Sequence, residues 1–259
     1  MSKFRDFLNR NSVASIEGRL PLVHSTKSYN IESLVNSKSI SPSFCKRYQE
    51  DLLYFFYGRP SYKYNKKEDT SELWELPTCF IFDTIGQKSP RRTIPFDSGA
   101  YIDKRYPSYL QSIPIAEFEC DQQDAPQRII SAVFGSLESY IRGQPKSEMA
   151  LKSEFQLGPL DPEVLAIRKL ADDDTPTDFD DRRMAIEIHI DESVDFSITP
   201  PSAVILPTAY LKEPKIRTAL ESWGAEPLNY DTYSLSMDLY YGIIFDKFIQ
   251  YCKDKEFIF

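Results

Sequence analysis

The chain has 259 residues, is 41% hydrophobic and 14% aromatic, and contains only 9 glycines, a composition that excludes an intrinsically disordered protein. No apolar run approaches the roughly 18 residues of a membrane-spanning helix, and the first residues lack a signal-peptide core, so we expect a cytoplasmic protein that needs no membrane. The formal net charge is −8, yet residues 1–67 hold 12 Lys and Arg against 5 Asp and Glu. A basic region of this kind indicates either an anionic ligand or an ordinary solvated surface.

Alternating and aromatic stretches predict three strands in the first third of the chain, near residues 20–25, 52–57 and 78–83. Residues 30–37 have the apolar spacing of a short helix, so the first strand leads into a helix. The second strand is rich in aromatic residues and ends at Gly58. A polar segment separates it from the third strand.

The middle of the chain predicts a fourth strand near 115–119 and a helix over 126–142. Pro126 lies in the first turn of this helix, and Gly143 follows its apolar stripe at the place where a helix commonly ends. Residues 161–171 predict a second helix, with Asp161 as its cap, followed by an acidic surface loop.

The last third predicts strands near 185–190 and 203–207 and a carboxy-terminal helix near 233–253. One side of that helix is apolar, with Met237, Tyr241, Ile244, Phe248 and Cys252. Strands and helices are mixed without strict alternation. The sequence therefore predicts an α+β fold, a single domain over 1–259 with a split, mixed or antiparallel sheet and flanking helices.

The stretch DDRRMAIEIHI (180–190) predicts a strand with one unusual face. Side chains alternate along a strand, so the three isoleucines share one face and a polar set shares the other. That polar set is Arg183, Ala185, Glu187 and His189. A carboxylate on this face requires either a functional explanation or an exposed position.

Common catalytic motifs do not occur in this sequence. The chain has two histidines and four scattered cysteines, so we expect no zinc site. It contains neither a glycine-rich phosphate loop nor a Gly-x-Ser-x-Gly elbow.

Three short segments resemble the motifs of poly(ADP-ribose)-polymerase-like ADP-ribosyltransferases and occur in the same order along the chain. They are LVHST, LLYFFYGRPSY and RRMAIEIHI. The segment RRTIPFDSG (91–99) is similar to part of the DNA-targeting ADP-ribosyltransferase toxins. LVHST lacks the glycine that many members place between His and Thr. The Arg-Ser-x-Ser-x-Thr pattern of the arginine-specific branch does not occur, which disfavours modification of protein arginines.

The resemblance implies that NAD is the substrate and that Glu187 is the catalytic residue, stabilising the cationic ribose as nicotinamide leaves. It further implies a set of NAD-binding residues: His24, Thr26, Tyr54, Tyr57, Arg59, Tyr62 and Arg183. Within this set the histidine and threonine hold the ribose and nicotinamide, the tyrosines are alternative stacking partners for the nicotinamide ring, and the arginines meet phosphates. We expect His24, Tyr57 and Glu187 to converge on one cleft.

The implied function is transfer of ADP-ribose to a macromolecule, with nucleic acid preferred over protein, in a bacterial toxin or phage-defence effector that a neutralising antitoxin-like protein holds in check. Two alternatives stay open, an NADase without an acceptor and a non-catalytic binding module. The residues also admit structural roles. In that interpretation His24 and the aromatic strand are sheet core, and Glu187 is solvated and paired with Arg183.

Overall fold

A computed structural model describes residues 2–61, 72–86, 88–173, 181–233 and 237–258. The strands are β1 Leu22–Lys27, β2 Ser39–Ile40, β3 Ser43–Cys45, β4 Glu50–Tyr57, β5 Pro77–Phe82, β6 Arg92–Ile94, β7 Ile186–Ile190, β8 Val194–Asp195, β9 Ala203–Pro207 and β10 Glu226–Tyr230. The α-helices are α1 Lys3–Arg10, α2 Ile31–Ser37, α3 Ser98–Ile102, α4 Ser108–Gln111, α5 Ala125–Val133, α6 Leu137–Ile141, α7 Glu148–Phe155, α8 Pro162–Asp172, α9 Thr208–Leu211, α10 Pro214–Trp223 and α11 Met237–Asp254. Within these ranges no helix is both long and apolar enough to cross a bilayer.

Two compact units make up the chain, and each combines segments that are distant in sequence. The Glu187 unit comprises Met1–Arg19, Ser89–His189 and Ile258–Phe259, and the His24 unit comprises Leu20–Lys88 and Ile190–Phe257. Because the chain passes between them several times, neither unit is one continuous stretch of sequence. The single domain over 1–259 stays a prediction.

The His24 unit contains most of the strands. Their order is β10-β9-β5-β1-β4, with β3 pairing on β4 and a separate pair formed by β2 and β8. Only the β9–β10 pair is parallel among the described pairings of this unit. Both faces of β5 and β9 are buried, which agrees with their nearly continuous apolar sequences. The α+β class and the mixed, largely antiparallel sheet are therefore confirmed.

The carboxy-terminal helix is α11, close to the predicted 233–253. The buried side of α11 differs from the prediction at one residue. Tyr240 is fully buried, whereas the predicted Tyr241 is only partly buried. The Tyr240 hydroxyl accepts from the Tyr233 N–H and donates to the Tyr233 carbonyl oxygen. Ile244, Phe248 and Cys252 are buried as predicted.

In the Glu187 unit, β6 and β7 form an antiparallel pair, and helices α1, α5 and α8 contact one another. The predicted helix over 126–142 is wrong as one continuous helix. Gly135, at a φ of +80°, ends α5, and the side chain of Ser136 caps α6 by accepting from the Ser139 N–H. Gly143 ends α6 as expected, with a φ of +66°.

The predicted strand near 115–119 is also wrong. Pro114 precedes a 3-10 helix over Ile115–Phe118, and only Cys120 pairs with a neighbour, Thr93, in an isolated bridge. The stretch PIAEFEC (114–120) has apolar side chains at alternate positions. A stretch of this length is too short for the pattern to distinguish a strand from a helical turn.

Candidate functional site

Glu187 lies in β7 with only 2% of its surface exposed. Its Oε1 accepts a hydrogen bond from the Ser98 hydroxyl at 2.5 Å and contacts Nε2 of His189. Its Oε2 accepts from the Ser98 backbone N–H at 3.2 Å. The prediction of a solvated Glu187 paired with Arg183 is wrong, because this carboxylate is enclosed and bonded by Ser98 and His189.

Strand pairing fixes which side chains accompany Glu187. In the β6–β7 register Ile94 lies opposite Glu187, and Arg92 lies opposite His189. Residues directly opposite each other in an antiparallel pair project to the same face. Arg92, Glu187 and His189 therefore share one face of this pair, as the alternation in DDRRMAIEIHI predicts for the last two.

Local capping brings Ser98 to the carboxylate. The Asp97 side chain accepts from the Ala100 N–H at 2.7 Å and begins α3 at Ser98, which is 1% exposed. Ser98 lies in the segment RRTIPFDSG (91–99), and the resemblance of that segment assigns it no role. The Asp97-Ser98 pair before a short helix is the signal that could have indicated it.

The prediction that Arg183 lies in the strand, on the same face as Glu187, is wrong. It belongs to a 3-10 helix over Asp181–Met184, and β7 begins at Ile186. The Ile186 N–H donates to the hydroxyl of buried Tyr140 at 3.0 Å, which fixes the start of the strand. Arg183 lies close enough to Tyr109 to lower the pKa of that phenol, although burial and Asp173 together raise it above its usual range.

His24 lies in β1, and its Nδ1 is 2.9 Å from the carbonyl oxygen of Tyr54. A carbonyl can only accept, so Nδ1 carries the proton and Nε2 keeps its lone pair. Burial lowers the pKa of His24, against the opposing effect of the bond to Tyr54. The imidazole is therefore neutral at pH 7 and offers one acceptor nitrogen.

Strand register separates the candidate tyrosines. Leu22 lies opposite Tyr57, and His24 lies two residues beyond Leu22, so His24 and Tyr57 share a sheet face. Tyr54 projects from the opposite face of β4, where its hydroxyl donates to Sγ of Cys45 at 2.9 Å. Tyr57 is 5% exposed, and its hydroxyl accepts from the Leu20 N–H.

The remaining binding candidates have protein partners or lie outside the description. Thr26 accepts from the amide of Asn30 at 2.8 Å. Arg59 is 5% exposed, and its guanidinium carbon lies 4.9 Å from the ring centre of Phe245 in α11. Tyr62 is outside the described residues.

The predicted site residues are thus divided between the two units. One has Glu187 with Ser98 and His189, and the other has His24 on the same sheet face as Tyr57. The convergence of His24, Tyr57 and Glu187 on one cleft stays a prediction. Within the described ranges no three His, Cys, Asp or Glu side chains are placed to hold a metal ion.

Comparison with known proteins returns no match. No protein-family model, no curated protein and no solved structure matches this chain.

Proposed function

We propose that this protein is an NAD-dependent ADP-ribosyltransferase in which Glu187 is the catalytic carboxylate. The observation that carries the proposal is the fixed position of that carboxylate, which Ser98 and His189 hold in a nearly dry environment. A preorganised charge stabilises a developing opposite charge most strongly where water is excluded. The order of the three motifs in the chain supports NAD as the substrate.

In the proposed reaction the bond between the nicotinamide nitrogen and ribose C1′ breaks, and nicotinamide leaves with the electron pair. The positive charge that develops on the ribose is stabilised by Glu187. A nitrogen or oxygen atom of the acceptor then bonds to C1′ and loses its proton. We propose nucleic acid as the acceptor, because the amino-terminal quarter of the chain is basic, and an antitoxin-like protein as a further partner.

Among the described residues, the partners of Glu187 leave one lone-pair position, which we assign to the substrate in this proposal. A carboxylate offers about four lone-pair positions, and the three bonds from Ser98 and His189 use two on Oε1 and one on Oε2. The remaining position on Oε2 suits a ribose hydroxyl. His24, with its neutral ring and acceptor Nε2, is suited to a second hydroxyl.

Nicotinamide release tests the proposal. Wild type, Glu187→Gln and Glu163→Gln are incubated with NAD and separate pools of DNA, RNA and protein. Glu163 is a matched control, because it is also 2% exposed and belongs to the same unit. We expect release and labelling of nucleic acid by wild type and by Glu163→Gln, and at least a 10²-fold loss in Glu187→Gln.

Two results would replace the proposed function with one of the two alternatives. Release of nicotinamide without a labelled acceptor makes the protein an NADase. No release from wild-type protein, with no NAD binding by calorimetry, favours a non-catalytic binding module. The 2% exposure of Glu187 favours the binding module, since a buried carboxylate bonded by Ser98 and His189 also has a structural role.

A further inference from the structure

A cavity of about 340 Å³ lies within the His24 unit, in the crossover that joins the parallel strands β9 and β10. The crossover contains helices α9 and α10, which contact each other, and both helices contact β10. Small-molecule sites have volumes of about 300–1,000 Å³ and commonly lie between helices. The cavity is therefore large enough for a small organic ligand.

Helical spacing explains why the lining side chains meet. Two triplets with the spacing i, i+3, i+4 line the cavity, one from α9 and its end and one from α10: Thr208, Leu211 and Lys212, and Arg217, Leu220 and Glu221. Residues with this spacing lie on one side of a helix. Ala225 and Pro227, from the start of β10, complete the lining. One side of each helix and the start of a strand thus enclose the cavity.

The uncharged part of the lining is mainly apolar. Leu220 is 2% exposed and Ala225 is 6% exposed, and the side chains of Leu211 and Pro227 line the cavity with them. The Thr208 hydroxyl already donates within the protein, 2.8 Å from a carboxylate oxygen of Asp231. Contact with a lining of this kind favours a ligand with an apolar body, because both surfaces leave water.

The charged part of the lining has one net positive charge. Its cations are Lys212 and Arg217, and Glu221 is the one carboxylate among the described lining residues. Neither cation forms an ion pair with a described residue, whereas Lys215 in the same helix α10 pairs with Glu32 at 2.8 Å. A ligand with a single negative charge therefore complements this lining, and a cationic ligand does not.

We propose that this cavity binds a small monocarboxylic acid with an apolar chain. The ligand carboxylate contacts Lys212 and Arg217, and the chain lies against Leu211 and Leu220. The planar guanidinium group of arginine matches a carboxylate in a bidentate contact, and the lysine supplies a second positive charge. This inference goes beyond the proposed function, because none of the residues assigned to NAD lines the cavity.

Calorimetric titration of the full chain with octanoate, butyrate, octanol, octylamine and octyl phosphate tests the inference. Octanoate should bind at least about 10-fold more tightly than butyrate, because each buried CH₂ group strengthens binding by about 4-fold. Octanol has the same chain without the charge and should bind at least about 10-fold more weakly than octanoate. Octylamine, with the opposite charge, should bind more weakly than octanol.

Four variants at exposed positions locate the binding site without disturbing the core. Arg217→Gln and Lys212→Gln should each weaken octanoate binding by about 3-fold or more, because each removes a charge that faces the carboxylate. Lys215→Gln is the matched control, since Lys215 lies in α10 but does not line the cavity. Glu221→Gln should strengthen octanoate binding, because it removes the one lining carboxylate.

Four results would overturn the inference. The first is no saturable binding of octanoate at millimolar concentration. The second is octanol binding as tight as that of octanoate, which leaves an apolar cavity that does not recognise a carboxylate. The third is octyl phosphate binding at least about 10-fold tighter than octanoate, which makes the cavity a phosphate site. The fourth is equal octanoate affinity in Arg217→Gln and Lys215→Gln.

Discussion

The hydroxyl of Ser98 donates to the carboxylate of Glu187 across 89 residues of sequence. The same serine also donates its backbone N–H to the other oxygen of the carboxylate. One residue at the start of α3 therefore fixes both oxygens of Glu187. Since both side chains are almost fully buried, the hydroxyl bond affects stability as well as the position of the charge.

Ser98→Ala should lower the free energy of unfolding by about 1.5–3 kcal/mol, because a buried charged group loses one donor. Urea denaturation of wild type and variant measures this change. Ser112→Ala is the control, since the Ser112 hydroxyl bonds at an exposed position and its loss should cost at most about 0.5 kcal/mol. Equal stability of the two variants would contradict the role assigned to Ser98.

Gly58→Ala should destabilise the protein more than Gly224→Ala does. Both glycines have a φ of +67°, so both substitutions incur similar backbone strain of about 1–3 kcal/mol. A Cβ at Gly58 would lie 2.3 Å from Cδ1 of Leu20, whereas a Cβ at Gly224 has nothing within 4 Å. The difference in melting temperature between the variants reports the contact with Leu20, and no difference would show that Leu20 moves aside freely.

Local sequence patterns predicted the positions of several strands and of the carboxy-terminal helix. Strands β1, β4, β5, β7 and β9 and helix α11 lie close to their predicted positions. Strand β10 was missed, because EPLNY contains a proline and only tertiary pairing with β9 makes it a strand. Helix α10 was missed, although Pro214 at its first turn and Gly224 after its end are ordinary helix signals.

In the candidate site too, relations between residues close in sequence were predicted and long-range contacts were not. Alternation along β7 predicted that Glu187 and His189 share a face, because that relation depends only on residues two apart. The Asp97-Ser98 pair marks the start of a helix, but the contact of Ser98 with Glu187 could not be predicted, since it depends on long-range pairing of β6 with β7. Arg183 was misplaced because periodicity does not mark where a 3-10 helix ends and a strand begins.

The pH dependence of stability should contain a contribution from His24. Burial lowers its pKa in the folded protein, while the unfolded chain titrates near 6.5. Below about pH 6.5 unfolding therefore takes up a proton, so the free energy of unfolding falls as the pH drops through this value. One such group contributes a slope of at most about 1.4 kcal/mol per pH unit.

His24→Gln tests this contribution, because glutamine can still donate to the Tyr54 carbonyl but does not titrate. The change in unfolding free energy between pH 7.5 and 5.5 should be smaller in the variant than in wild type. Urea denaturation at the two pH values supplies both numbers. Identical changes would mean that His24 titrates in the folded protein as it does in the unfolded chain.

His24 and Glu187 have different roles in the proposed reaction, and substitutions at the two positions should separate them. Glu187→Gln keeps the shape of the side chain and removes its charge, so it removes an interaction that strengthens as the ribose becomes cationic. NAD affinity should stay within a few-fold, while turnover should fall by a factor of about 10² or more. His24→Ala should instead weaken NAD binding, because its proposed contact with a ribose hydroxyl forms before the bond breaks.

Nicotinamide release over a range of NAD concentrations gives turnover and KM for each variant, and calorimetry gives the affinity directly. Glu163→Gln controls for loss of a buried carboxylate and should match wild type in both quantities. A Glu187→Gln enzyme with normal turnover and weakened NAD binding would make Glu187 a binding residue. The cationic ribose would then be stabilised by some other group.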